Sequence, residues 1–161
     1  MPHQLDRLDW TDADFDQMGW HDAFVHAIGV LPEHFELVID LDYILRWEQP
    51  AASSAYYTFW VAPATLVFRQ VSDVHLRIDA QNGAFSILDL HRRDPMPPPN
   101  GAFVAWHWHV DGDLGEARFQ ATGYTQHCRR QPQRTDRQYL TDAQRGGLSF
   151  QRETTASERP A

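Results

Sequence analysis

The chain of 161 residues lacks lysine, has a single cysteine and contains no long apolar run. Because Cys128 has no second cysteine to pair with, no internal disulfide can form and nothing requires an oxidising compartment. No stretch approaches the roughly 18 apolar residues of a spanning helix, and the first ten residues lack the basic start and apolar run of a signal peptide. We therefore expect a cytoplasmic protein without a membrane segment.

Several sequence motifs that carry chemistry are also missing. The chain has no glycine-rich phosphate loop, no cysteine pairs at zinc-binding spacing and no serine nucleophile elbow. Without a complete catalytic constellation, the sequence favours a binding function over catalysis, and it gives no reason to expect a cofactor unless a divalent transition metal binds.

Charge is distributed unevenly along the chain. Residues 1–48 contain eleven acidic residues and two arginines, whereas residues 129–161 contain seven arginines and four acidic residues. The overall net charge is −8. An acidic surface repels nucleic acid and attracts basic molecules, so the acidic first third predicts a basic protein partner.

What the sequence has in abundance is alternating, aromatic-rich segments, which are typical of β-strands. The clearest one is residues 35–47, FELVIDLDYILRW. Read as a strand, it places two sets of side chains on opposite faces. The predicted core face carries Leu37, Ile39, Leu41, Tyr43, Leu45 and Trp47. The other face carries Val38, Asp40, Asp42, Ile44 and Arg46.

The remaining segments predict a mainly β, antiparallel sandwich or open barrel of about seven to eight strands with at most one or two short helices. Asn82-Gly83 predicts a hairpin between its flanking strands, and residues 111–113 predict another. Because proline cannot donate to a strand ladder, Pro63 predicts a bulge, bend or edge position. One domain over residues 1–150 and a disordered tail over residues 151–161 complete this expectation.

The sharpest local pattern is Trp106-His107-Trp108-His109. In a strand, His107 and His109 lie on the same face, a spacing at which two imidazoles can bind one transition metal. A metal site needs further ligands, for which the candidates are His21, His26, His75, His91, Asp40 and Asp42. The alternative is a strand that buries both tryptophans and exposes both histidines to solvent.

Two other pairs are candidates for a polar site or a partner-binding site. Asp40 and Asp42 share a strand face, where paired carboxylates can bind a cation or divide acid and base roles, or can form a solvated edge. Of these, the solvated edge is our expectation. His21 and Asp22 are adjacent, so in a strand they would point to opposite faces. The tryptophans could form a stacking platform for a sugar, provided that several of them are exposed in a row.

Four short motifs carry a family resemblance. They are Trp20-His21-Asp22-Ala23, Asp40-Leu41-Asp42-Tyr43-Ile44, and residues 63–68 and 145–150. Together they resemble a family of uncharacterised bacterial domains, and the first motif is similar to the opening of some immunity proteins of polymorphic toxin systems. The resemblance covers roughly residues 20–150 and transfers no catalytic residue. It implies a toxin-neutralising interaction module whose C-terminal segment packs back on the domain.

Overall fold

The computed structural model describes residues 4–97 and 102–155. In this part of the chain, ten strands form one antiparallel sheet. The strands are β1 (Asp9–Thr11), β2 (Ala23–Leu31), β3 (Glu36–Glu48), β4 (Thr58–Arg69), β5 (Ser72–Ile78), β6 (Ser86–Met96), β7 (Ala105–Gly112), β8 (Gly115–Ala121), β9 (Gly123–Cys128) and β10 (Gln133–Thr135). The predicted fold class is confirmed, although the strands outnumber the seven or eight expected.

Helical structure in the described residues is limited to three short elements. Two are 3₁₀ turns, at Asp12–Gln17 and Pro32–His34, and one is the α-helix α1 (Asp142–Arg145). Thr11 caps the first turn, because its hydroxyl accepts a hydrogen bond from the Ala13 N–H and Asp14 bonds back to the Thr11 N–H. None of these helices has the length or the apolar character needed to cross a membrane.

The sheet runs in the order β1-β9-β4-β3-β2-β6-β7-β8-β5, and β10 pairs with β4 beyond the end of β9. It folds over so that its two halves share one core. Phe68 of β4 packs against Trp108 of β7 and Phe119 of β8, with ring centroids 5.2 and 4.7 Å apart. Such aromatic contacts between the halves produce a sandwich-like body with two outer faces.

The core face of β3 follows the predicted alternation up to Leu45 and then departs from it. Leu37, Leu41 and their alternating neighbours lie in the shared core, but the register with β4 shifts between Ile44 and Arg46. The extra residue of this bulge reverses the alternation, so Trp47 lies opposite Phe59 on the outer face and is 42% exposed. The prediction that Trp47 faces the core was therefore wrong.

Turn chemistry predicted one hairpin correctly and the other wrongly. Strands β7 and β8 pair directly across residues 112–115, as expected. Gly83 does occupy a turn, with φ of +76°, but β5 pairs with β8 and β6 pairs with β7 and β2, so the flanking strands separate. The Asn82-Gly83 dipeptide specified the turn, whereas the burial of β6 between other strands decided the pairing.

Pro63 lies inside β4, which continues through it as a single strand. On one side Pro63 is opposite Asp42, and on the other side β4 changes partner, from β10 up to Val61 to β9 from Ala64 onward. Its missing N–H therefore falls at the junction between two partner strands, where the Pro63 carbonyl accepts a hydrogen bond from Arg129.

The C-terminal segment, defined here as residues 129–155, packs on the outer face of β3 and β4. The Leu140 side chain forms a small second core with Ile44, Phe59 and Val61. The tail was predicted to begin at residue 151, but the Gln151 carbonyl accepts a hydrogen bond from Thr65, and residues 152–155 also contact the sheet. The remainder of the predicted tail, residues 156–161, lies outside the described residues.

Candidate functional site

Asp40 and Asp42 lie in a buried ion network beneath the C-terminal segment. Both carboxylates are completely inaccessible to solvent. Arg145 Nη2 donates to Asp40 Oδ1 at 2.6 Å, and Arg129 Nη2 donates to the same oxygen at 2.8 Å. The Ser149 N–H donates to Asp40 Oδ2 at 2.9 Å. The expectation of a solvated edge was wrong, because the arginines that cover these carboxylates come from a distant part of the chain.

Asp42 completes this network from the next outward position of β3. Its Oδ2 atom is hydrogen-bonded to His26 Nε2 at 2.7 Å and to the Leu140 N–H at 2.9 Å, and Arg145 Nε donates to Oδ1 at 3.2 Å. Burial alone would raise the pKa of Asp40, but the hydrogen bonds from Arg145 and Ser149 outweigh it and lower the pKa. Asp40 is thus ionised, and the hydrogen bonds of both carboxylates attach the C-terminal segment.

The uneven charge distribution largely reflects ion pairs within the chain. Besides Asp40 and Asp42, two acidic residues of β3 pair with arginines of the C-terminal segment: Glu36 with Arg152, and Glu48 with Arg134 at 2.8 Å. The acidic front of the molecule is therefore the docking surface for its own basic end. Among the earlier acids, Asp12 and Asp14 pair with Arg69 and Arg7.

His107 and His109 lie on the other outer face of the molecule, where β6, β7, β8 and β5 are adjacent. As predicted, Trp108 between them is buried and both imidazoles point outward. Strand register aligns side chains across these four strands in rows. The central row is His91, His109, Arg118 and His75, and the next row contains Arg93, His107 and Gln120. We call this set of seven residues the histidine-arginine face.

Glu116 is the carboxylate that neutralises part of the histidine-arginine face. Arg118 Nε donates to Glu116 Oε2 at 2.9 Å, and His109 Nε2 is hydrogen-bonded to the same oxygen at 2.8 Å. The hydrogen bond from Arg118 is the main cause of the lowered pKa of Glu116, which is therefore ionised at neutral pH. The His91 and His109 rings are 5.8 Å apart, but no group of three histidine, cysteine or acidic side chains among the described residues could hold a metal ion.

The predicted pair His21 and Asp22 lies in a turn at one end of the molecule. His21 Nδ1 is hydrogen-bonded to the Leu88 carbonyl at 3.0 Å, and His21 Nε2 is 3.6 Å from Asp22 Oδ2. Asp22 accepts a hydrogen bond from Gln138 Nε2 at 2.8 Å. The two side chains do approach each other, because the turn geometry, with φ of +63° at Asp22, replaces the strand geometry assumed from the sequence.

His21 is also part of an exposed group of aromatic residues that the sequence did not predict as a site. The His21 ring stacks on Trp47 at 6.3 Å and 23°, and Trp47 contacts the Tyr57 ring at 6.1 Å. Tyr56 beside them is 79% exposed, and Leu88 is also exposed. We call His21, Trp47, Tyr56, Tyr57 and Leu88 the aromatic patch. The one available signal was the aromatic content of residues 56–57 after a polar loop.

The other tryptophans give no row of exposed indoles. Trp20, Trp60 and Trp108 are buried, and Trp10 and Trp106 are half-buried against the core. Trp20 Nε1 donates to Gln126 at 2.8 Å inside that core. A platform of several tryptophans for a sugar is therefore not formed by this fold.

Cys128 has no exposed surface, and burial raises its pKa to about 12. Its thiol is therefore protonated and inaccessible at neutral pH.

Comparison with known proteins gave no relative of this chain. No family model matches its sequence, no curated protein matches it, and no solved structure matches its fold.

Proposed function

We propose that this chain is a protein-interaction domain that contacts a basic protein partner through the aromatic patch. The observation that carries the proposal is the stacked, solvent-exposed arrangement of His21, Trp47 and Tyr57 at one end of the sheet. Tryptophan and tyrosine are enriched at the energetic centres of protein interfaces, because they bury a large area at a small cost in conformational entropy.

The patch is larger than its five defining residues. Gln138 links Asp22 of the turn to the C-terminal segment, and Tyr139 beside it is exposed and contacts Phe24 with centroids 5.4 Å apart. The Asp22–Gln138 hydrogen bond therefore joins the turn that carries His21 to the segment that carries Tyr139. Exposed aromatic side chains with a polar surround are typical of an interaction site.

The negative net charge of the chain supports a basic partner. Intramolecular ion pairs leave the net charge of −8 unchanged, so long-range attraction still favours a positively charged protein. Carboxylates also lie near the patch, since Asp22 Oδ2 is 3.6 Å from His21 Nε2 and the exposed Asp136 is two residues before Gln138 in the sequence. The resemblance to immunity proteins supports the same class of function, in which the partner would be a toxin domain.

The test compares a patch variant with a control in binding to a purified partner. Partners captured from the source organism with the wild-type chain are purified, and their Kd is then measured by titration calorimetry. In the double variant W47A/Y57A we expect a loss of at least about 2 kcal/mol, or roughly 30-fold in Kd, because aromatic residues at an interface centre contribute at this level. Partner binding should also weaken with added salt and in Asp136→Asn.

The matched control is Phe103→Ala, which removes an aromatic side chain of similar exposure from another part of the surface, beside Asp12 and Arg69. Its affinity should equal that of the wild type. An unchanged Kd in W47A/Y57A, or the failure of any purified protein to bind, would refute the proposal. Urea unfolding of each variant verifies that the fold is retained.

The alternative prediction, a metal-binding β domain or a metal-dependent enzyme using His107 and His109, gains no supporting observation. It needs a third donor, and the described part of the chain provides none in a suitable position.

A further inference from the structure

The histidine-arginine face contains two adjoining depressions with cationic walls. One has a volume of about 290 Å³ and the other of about 400 Å³. Both are lined by Arg93, His107, His109 and Arg118, which therefore form the boundary between them. The strand register explains the arrangement, since Arg93 is opposite His107 and His109 is opposite Arg118.

The larger depression is lined by no carboxylate. Its walls are His91, Arg92, Arg93, His107, His109 and Arg118. Arg93 and Arg118 carry permanent positive charges on the outward face, and His91, His107 and His109 can each donate a hydrogen bond from a ring nitrogen. Arg92 is opposite the buried Trp108, so its side chain lies on the core side of β6. The carboxylates that pair with these walls do not line the depression: Glu116 pairs with Arg118, Asp94 with Arg93 and Asp89 with His91.

The arginines of this depression are weakly neutralised by the protein. The Arg92 guanidinium lies between the rings of Phe15 and Trp106, at 4.5 and 4.7 Å from their centroids, and forms no ion pair with a described residue. Arg93 is 3.7 Å from the exposed Asp94. The aromatic rings hold the Arg92 guanidinium on the core side of β6, whereas the exposed Arg93 side chain lies opposite His107 and lines both depressions.

Hydrogen-bonding capacity is also unused on this face. Among the described residues, neither the His107 side chain nor the His75 side chain has a hydrogen bond or ion pair, whereas the neighbouring Gln120 side chain donates to Asp73. Guanidinium and imidazole donors that converge on one depression match the several acceptor oxygens of a phosphate group. We propose that the histidine-arginine face binds the phosphate groups of a small phosphorylated ligand.

Because Glu116 competes with an anion for Arg118 and His109, the proposal predicts that replacing Glu116 strengthens phosphate binding. Its carboxylate occupies Arg118 and His109 in the absence of a ligand, so it competes with any anion for the same donors. Replacing Glu116 with glutamine should therefore strengthen phosphate binding, whereas replacing Arg93 should weaken it. If the surface attracted anions only through net charge, replacing Arg93 would change the phosphate affinity only slightly. If Arg93 and Glu116 had a purely structural role, neither replacement would change the affinity.

The experiment titrates inorganic phosphate and pyrophosphate into the full chain at fixed pH and ionic strength, and follows backbone amide shifts by NMR. We expect saturable shifts confined to β5–β8, with pyrophosphate tighter than phosphate because the depressions adjoin. R93Q should weaken pyrophosphate binding about tenfold, the usual scale for a charge-assisted hydrogen bond, and E116Q should strengthen it.

Two controls separate this site from general charge effects and from the proposed function. Arg46→Gln removes an exposed arginine on β3, outside the face, and should leave the affinity unchanged. W47A/Y57A should bind pyrophosphate as the wild type does, so the two proposals can fail independently. Absence of saturable shifts, equal losses in R93Q and R46Q, or weaker binding in E116Q would overturn the inference.

Discussion

Replacing Arg145 with methionine tests whether the buried ion network holds the C-terminal segment on the sheet. The Arg145 side chain has no exposed surface and reaches both carboxylates, Asp40 at 2.6 Å and Asp42 at 3.2 Å. It also donates to the Gly147 carbonyl at 2.6 Å. Methionine keeps the unbranched stem of arginine but lacks the outer part of the guanidinium, so the main change is the loss of the charge and its hydrogen bonds.

The expected loss in the free energy of unfolding depends on which hydrogen bonds Asp40 and Asp42 keep after the substitution. Removing one partner of a buried ion pair costs about 3–5 kcal/mol, because an uncompensated charge is left behind. Asp40 keeps its hydrogen bonds from Arg129 and Ser149, and Asp42 keeps those from His26 and Leu140. We therefore expect a loss near the lower end of the range, about 3 kcal/mol, a large part of the usual total stability of about 5–15 kcal/mol.

The assay is urea unfolding with linear extrapolation, supported by limited proteolysis of the C-terminal segment. Arg152→Met is the matched control, because the Arg152–Glu36 pair is partly exposed and should contribute at most about 1 kcal/mol. Adding Asp42→Asn to Arg145→Met should recover stability by removing the carboxylate left uncompensated. The reasoning is refuted if Arg145→Met costs less than about 1 kcal/mol, or if Asp42→Asn deepens the loss.

Two further outcomes follow from the perturbed groups around the same segment. Hydrogen bonds from Trp60 and Arg134 lower the pKa of Glu48 to about 2, and the pKa of Asp40 is also lowered, so their contributions are present above the unfolded pKa of about 4 and are lost as the pH falls below it. Stability measured by urea titration should therefore fall between about pH 4 and pH 2; a flat profile there would contradict this assignment. Cys128 should resist thiol reagents in the native state at neutral pH and react on unfolding, and rapid native labelling would show that the structure around it opens readily.

Local alternation was sufficient to predict strand β3 and the class of fold, because a half-buried strand must place apolar side chains at every second position. It could not locate the bulge before Arg46, since nothing in the pattern LDYILRW shows that one residue is left unpaired. The turn at Gly83 was likewise readable from sequence. The separation of its flanking strands was not, because β5 pairs with β8, whereas β6 pairs with β7 and with the distant β2.

The candidate sites differed in how far sequence could predict them. That His107 and His109 share an exposed face followed from strand periodicity alone. The burial of Asp40 did not, because the arginines that neutralise it lie 89 and 105 residues further along the chain. A pair of carboxylates on a strand has the same sequence pattern whether it faces water or buried arginines, and only the distant contact distinguishes the two cases.

The two outer faces of the folded sheet carry different amounts of covering chain, and this difference bears on where ligands bind. On the β3–β4 side, residues 129–155 cover the polar positions and neutralise Asp40 and Asp42 completely. On the β5–β8 side, no described segment covers the outward positions, which carry Arg93, Arg118 and histidines, with Asp89, Asp111 and Glu116 in the adjacent row. On the first face, the chain itself compensates the clustered charges. On the second face, Glu116 holds Arg118 and His109, while the His75 and His107 side chains have no partner among the described residues, and this contrast is the basis for testing Arg93 and Glu116 in opposite directions.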